Sequence, residues 1–116
     1  MKPLGIHHVN ITVGELAPAL AFYVGALGMI ERADRPDFAF GGAWLDVGGQ
    51  QVHLVVGTPP VETGDHFAIA VDDVLTAVGE LRARGFRVSE PRPVGTGHQA
   101  FLRDPWGNLV ELQQPG

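Results

Sequence analysis

The sequence predicts an α+β chain made of two tandem βαβββ modules. Three observations carry that expectation. Segments recur at a spacing of 58 residues, half of the 116-residue length. Strand-like alternation gives way to helix-like periodicity at the same place in each repeat. Glycine-rich turn signals then separate three further strands in each half.

The segment Ile6–Val13 reads as an alternating strand leading into the apolar stretch Leu16–Leu27, and Asp65–Val71 does the same ahead of Val74–Arg84. His8 falls on His66 and Val13 on Val71. The same spacing carries Asp46–Leu54 onto Asp104–Leu112, setting Asp46 against Asp104, Gly49 against Gly107 and Leu54 against Leu112. Residues 1–116 therefore form one domain of modules 1–58 and 59–116, joined near Gly57–Pro60 within a linker Gly57–Gly64. A half of that size buries too small a fraction of its surface to stand alone. The modules are expected to pack together, or with those of a second copy.

In the first helix Leu16, Leu20, Tyr23, Val24 and Leu27 share one face at a period of 3.6, Pro18 sits in the first turn and Gly28 ends it. In the second, Asp72 or Asp73 is the N-cap, Val74, Val78 and Leu81 are the apolar stripe, and Gly85 is the stop. Strands are then expected over Met29–Ala33, Ala43–Val47 and Gln51–Val56, and over Arg87–Ser89, Gln99–Arg103 and Leu109–Gln113. Asp46-Val-Gly-Gly and Asp104-Pro-Trp-Gly-Asn are their hairpin turns.

Composition narrows the function. The chain is 45% apolar and 18% charged, which suits a globular domain. It has no Cys, which removes disulfides, thiol nucleophiles and thiolate zinc sites. A net charge of −5 argues against nucleic acid as a partner. Neither a signal-peptide-like apolar run at the start nor a bilayer-spanning stretch is present, so no membrane association and a cytoplasmic location are expected.

Side chains alternate across a strand, so parity assigns faces. Val9, Ile11 and Val13 share the face that a helix should cover; His8, Asn10 and Thr12 share the other. The same parity puts His66, His53 and Glu111 on uncovered faces, opposite Phe67, Leu54 and Val110. His8 with His66, and His53 with Glu111, are equivalent positions in the repeat. Four nitrogen and oxygen donors without a thiolate suit one divalent ion per site: Ni, Zn, Fe, Mn or Co. They converge only if the two sheets curl towards each other. His7 lies on the opposite face and is expected to be structural or exposed, and His98, at a strand entrance, is expected at the surface.

With these residues in view, the chain resembles the vicinal oxygen chelate superfamily, which includes glyoxalase I, bleomycin- and fosfomycin-resistance proteins, methylmalonyl-CoA epimerase and extradiol dioxygenases. The resemblance rests on Ile6-His-His-Val-Asn-Ile-Thr-Val13, Phe22-Tyr23 with Leu27-Gly-Met29, Asp65-His66 with Ala70-Val-Asp-Asp73, and above all Phe101-Leu-Arg-Asp-Pro-Trp-Gly-Asn-Leu-Val-Glu-Leu112. It implies a cupped mixed sheet around a metal, commonly in a homodimer. His8, His66 and Glu111 match a His-His-Glu triad, and His53 matches the fourth ligand position. His53 and Glu111 are the candidate catalytic groups, His53 serving as ligand or as base.

The resemblance implies a metal-dependent lyase or isomerase acting on a small oxygenated substrate. Thr12 stands where glyoxalase I carries an Arg, and Val55-Val-Gly57 where it carries an Asn, two glutathione contacts; the glutathione hemithioacetal is therefore not the expected substrate. An extradiol-type ring-cleaving dioxygenase and a metal-free antibiotic-binding resistance protein are the alternatives. Phe38, Phe40 and Trp44 are candidates to line the pocket, at least one of them being expected in the core. Arg35 and Arg92 are expected as surface charges.

Overall fold

A computed structural model describes residues 1–59, 61 and 64–116. Part of the expected linker Gly57–Gly64 lies outside the described residues. The chain divides into two compact units, Met1–Val61 and Glu62–Gly116.

Unit 1 runs β1 (His8–Val13), α1 (Leu16–Leu20), a π-helical turn (Ala21–Ala26), β2 (Ile30–Glu31), β3 (Gly42–Val47) and β4 (Gln50–Val56). Unit 2 runs β5 (His66–Ala70), α2 (Val74–Ala83), β6 (Arg92–Val94), β7 (Gly97–Arg103) and β8 (Leu109–Gln114). Each unit is a βαβββ module. The sheet orders are β1-β4-β3-β2 and β5-β8-β7-β6, with β1–β4 and β5–β8 parallel and the other pairs antiparallel. A parallel pair needs a crossover, and the helix of each unit begins it. Helix α1 packs on β4, and α2 packs on β7 and β8. Among the described residues no helix is long and apolar enough to cross a membrane.

The inward parity of the strands is as expected: Val13, Leu45, Val52 and Leu54 are buried in unit 1, and Ala100, Leu102, Val110 and Leu112 in unit 2. Asp73 is the N-cap of α2; its Oδ1 accepts the Thr76 amide at 3.0 Å. Gly28 (φ +79°) and Gly85 (φ +90°) end the helices in the left-handed conformation that glycine adopts without a Cβ clash.

The first helix departs from expectation. Its buried residues are Ala19, Phe22 and Tyr23, whereas Leu16, Leu20, Val24 and Leu27 are half-buried. The π turn is the cause: the Leu27 amide donates to the Phe22 carbonyl, five residues back, at 2.9 Å. An extra residue in the turn rotates the inward face and brings both aromatic rings onto it. A second departure concerns Arg87–Ser89, which is not a strand; the edge strand is β6, Arg92–Val94, closed onto β7 by the Gly95–Thr96 turn. Ser89 still touches β7, donating its amide to the Phe101 carbonyl at 2.9 Å. Pro93 fits β6 because an edge strand has one unpaired side.

The register refines the repeat. His8 pairs with Gln51 and His66 with Leu109; Asn10 pairs with His53 and Ala68 with Glu111. The 58-residue spacing therefore holds for the parallel pairs. It fails for β3 and β7, where Trp44 pairs with His53 but Phe101 pairs with Glu111. The hairpin closed by Asp46 and Gln51 spans residues 47–50, whereas the one closed by Arg103 and Leu109 spans 104–108, one residue more. Asp46 is thus the counterpart of Arg103, not of Asp104, and Trp44 is the counterpart of Phe101. Asp104 organises the longer turn. Buried, it accepts the amides of Trp106 and Asn108 at 2.9 Å on Oδ1, and Asn108 Nδ2 at 2.8 Å on Oδ2. Asp46 instead accepts Arg32 Nη1 at 2.8 Å, and Arg32 also grips Asp34 through Nε and Nη2.

Candidate functional site

Unit 2 brings two of the expected ligands together. His66 on β5 and Glu111 on β8 share the face opposite the buried strand residues, with Nε2 and Oε1 3.0 Å apart. The other ring nitrogen, Nδ1, lies 3.0 Å from the carbonyl of Gly64. Both nitrogens thus face oxygen acceptors, so without a cation the ring is satisfied only as imidazolium. That geometry raises the His66 pKa above 6.5, first through the Gly64 hydrogen bond and then through Glu111, against the opposing effect of desolvation. A divalent ion can take the place of the Nε2 proton. Nδ1–H donation to a backbone carbonyl is the usual orienting bond of a metal-ligating histidine. An imidazole nitrogen and a carboxylate oxygen are donors of the type that divalent metals take.

Unit 1 brings His8 and His53 together in a different way. Their rings stack with centroids 3.9 Å apart at 13°, and Trp44 covers the far face of His53 at 4.5 Å and 10°. His53 Nε2 is 2.8 Å from Gln51 Oε1, and His8 Nδ1 is 2.9 Å from His7 Nδ1. Nearly parallel, stacked rings confine their in-plane lone pairs to two separate planes, so in these rotamers the two histidines do not aim at a common point. His53 is buried, and that burial lowers its pKa from 6.5, with the nearby His8 adding to it. Among the described residues no group of three or more His, Asp or Glu side chains is placed to hold a metal ion.

None of the candidate pocket aromatics is in the core. Phe38 and Phe40 are exposed and stacked at 5.1 Å, and Trp44 is half-buried. Arg35 lies 4.9 Å from the centre of the Phe38 ring and donates to the Phe40 carbonyl at 2.9 Å, so it braces this loop. His7, His98 and Arg92 are exposed, as expected. Two residues at the site were not anticipated. Phe101 meets the His66 ring edge-on at 5.4 Å, and Gln51 holds His53. A uniform 58-residue spacing hides Phe101 by aligning Trp44 with buried Leu102.

Each unit thus carries a pair of the candidate side chains on its own sheet. The sequence profile of the Glyoxalase/Bleomycin resistance protein/Dioxygenase superfamily matches residues 5–112. The chain belongs to this superfamily. Within it, a protein named probable lactoylglutathione lyase from Vibrio cholerae is 32% identical over 123 aligned residues, covering 94% of this chain and 89% of its own. A chloroplastic one from Arabidopsis thaliana is 36% identical over 94% of this chain, which spans only 35% of that longer protein. TnmS3, an antibiotic binding protein from a Streptomyces species, superposes over 100% of this chain and 99% of its own with TM-score 0.79 at 27% identity. The fold is also shared with the fosfomycin resistance protein FosX from Listeria monocytogenes, at TM-score 0.84 and 19% identity over 99% of this chain and 95% of that one. That FosX structure is a complex with Mn(II) and dihydroxypropylphosphonic acid. Superfamily membership agrees with the paired βαβββ modules.

Proposed function

We propose that this superfamily member is a metal-dependent lyase or isomerase of the glyoxalase type, acting on a small substrate with oxygens on adjacent carbons. The observation that carries the reading is the His66–Glu111 pair, whose donor types and oriented imidazole suit a cation. His66 and Glu111 would hold a divalent ion of the Ni, Zn, Fe, Mn or Co kind, with His8 as a further ligand and His53 as ligand or base. The ion supplies Lewis acidity towards vicinal oxygens when bound. Gly64 fixes the tautomer of His66. With Gln51 Oε1 accepting from Nε2–H, His53 keeps Nδ1 as its basic atom, and burial keeps that ring neutral and able to take a proton. The Mn(II) in FosX and the names of the lyase relatives support the metal and the reaction class.

Those names favour a glutathione hemithioacetal as substrate; Thr12 and Val55–Gly57 favour one that does not use the glutathione peptide. Two measurements test the reading. Metal analysis of protein purified without an affinity tag is expected to find bound metal, lowered by Glu111→Gln; unchanged occupancy would overturn the ligand assignment. Turnover of methylglyoxal adducts of glutathione and of 2-mercaptoethanol is expected to be comparable. A strong preference for the glutathione adduct would instead place the chain with the lactoylglutathione lyases. A homodimer, tested by sedimentation, belongs to the same proposal, the ligands coming from one chain or from two.

One observation favours a second reading. The parallel stack of His8, His53 and Trp44 offers flat ring surfaces rather than converging lone pairs, which suits a metal-free binding protein such as TnmS3 is named to be. Metal-free protein that binds a planar antibiotic in a one-to-one ratio would decide for it.

A further inference from the structure

Unit 2 carries an open cavity of about 650 Å³ beside the His66–Glu111 pair. Phe101 is the shared wall: it lines the cavity and touches His66 edge-on. Leu109, the register partner of His66, is a second apolar wall. The remaining character is cationic and hydrogen-bonding, because Arg87, Ser89 and Arg103 line the same space. On a chain of net charge −5, two guanidinium groups in one cavity are a local reversal of sign.

Hydrogen bonds hold two of these groups in place. Arg103 stands two residues beyond Phe101 on β7, and its Nη1 donates to the Gly107 carbonyl at 2.8 Å. This bond orients the guanidinium fork. Ser89 Oγ accepts the Phe101 amide at 2.8 Å, which pins the segment while its own O–H remains a donor. The neighbouring carboxylate, Glu90, is paired with Arg82 at 2.8 Å, and Arg82 also grips the Val88 carbonyl. Arg87 makes no ion pair among the described residues. Two strand positions separate Phe101 from Arg103, roughly 7 Å. The register partner of Arg103 is Leu109, two positions from Glu111 on β8, so an anion at Arg103 lies away from the Glu111 carboxylate.

We propose that this cavity binds an amphiphilic organic acid. Arg87 and Arg103 take its oxyanion, Ser89 donates to it, and Phe101 and Leu109 cover its apolar part. The same geometry makes the acid group the tail of a substrate whose reacting end meets His66 and Glu111; that role alone rests on the lyase reading, whereas the binding does not.

The test is titration of the full-length ¹⁵N-labelled protein with benzoate, phenylphosphonate and neutral benzamide, followed by amide shifts and calorimetry. The acids are expected to move the Ser89, Phe101, Arg103 and Leu109 amides, with benzamide binding far more weakly. Arg87→Gln is expected to weaken acid binding by about tenfold, the usual effect of losing a charge-assisted bond. Arg103→Gln should do likewise, and Arg87→Gln, on an exposed residue outside the Gly107 turn, guards against misfolding as the explanation. The tighter of benzoate and phenylphosphonate identifies the oxyanion. Equal binding of benzamide, shifts confined elsewhere, or affinity unchanged in Arg87→Gln would overturn the proposal. Glu111→Gln is expected to retain acid binding, so failure of the metal reading would be seen separately.

Discussion

Glu111 Oε1 and His66 Nε2, 3.0 Å apart, tie β8 to its parallel neighbour β5 through an imidazole whose other nitrogen is held by Gly64. This contact sets a pH dependence in the metal-free protein. The His66 pKa is raised, so its contribution to stability is fully present below 6.5 and is lost as pH rises through the folded value. The His66 side chain is 33% exposed, which keeps the effect below about 1 kcal/mol. The urea midpoint of metal-free protein should therefore fall slightly between pH 6 and 8, and Glu111→Gln should reduce the slope. Metal affinity should move oppositely over that range, because the ion needs Nε2 without its proton.

His53 has the reverse linkage. Its pKa is lowered by burial, so the stability it carries is present above 6.5 and lost as pH falls through the folded value. In a proton NMR titration of metal-free protein, the His53 ring resonances should shift at lower pH than those of His66. Coincident titration of the two rings would show that burial and the Gly64 bond do not act as argued.

Much of the fold was legible because its signals are local. Alternation marked β1, β4, β5 and β8, the pair Asp72 and Asp73 marked the helix cap to within one residue, and Gly28 and Gly85 marked the stops. Parity put His8, His53, His66 and Glu111 on the correct faces, since a strand has only two. What escaped depends on packing or on one inserted residue. The π turn that buries Phe22 leaves no mark in a 3.6-residue pattern. The choice of Arg92–Val94 over Arg87–Ser89 as edge strand follows from where Gly95 turns the chain. The longer Asp104 turn shifts β7 by one residue and conceals that Phe101 answers to Trp44. Strand pattern also fixes no rotamer, so the stacking of His8 on His53 had no sequence signal.

The Asp104 turn gives a sharp stability test. Its buried carboxylate accepts the Trp106 and Asn108 amides and Asn108 Nδ2. Asp104→Ala leaves those donors without their acceptor and is expected to cost about 2 to 4 kcal/mol. Asp104→Asn keeps an oxygen for the two backbone amides but sets its own NH₂ against Asn108 Nδ2, so it should cost less. Urea unfolding of the two variants measures both; a tolerated Asp104→Ala would mean that the turn is held by β7–β8 pairing alone.

Trp44 offers a way to separate burial from charge at His53. The indole covers one face of the imidazole at 4.5 Å while His8 covers the other, and burial is the larger cause of the lowered pKa. Trp44→Ala admits water to that face and should raise the His53 pKa towards 6.5. Trp44→Phe keeps a flat ring at the position and should raise it less. His8→Gln removes the neighbouring imidazole and should give a smaller upward shift than Trp44→Ala. If His8→Gln instead has the larger effect, the ring is governed by its His8 neighbour, and removing the Trp44 cover would do little for its basicity. Because the variants leave Gln51 in place, the Nε2 bond continues to set the tautomer, so NMR shifts report protonation at Nδ1.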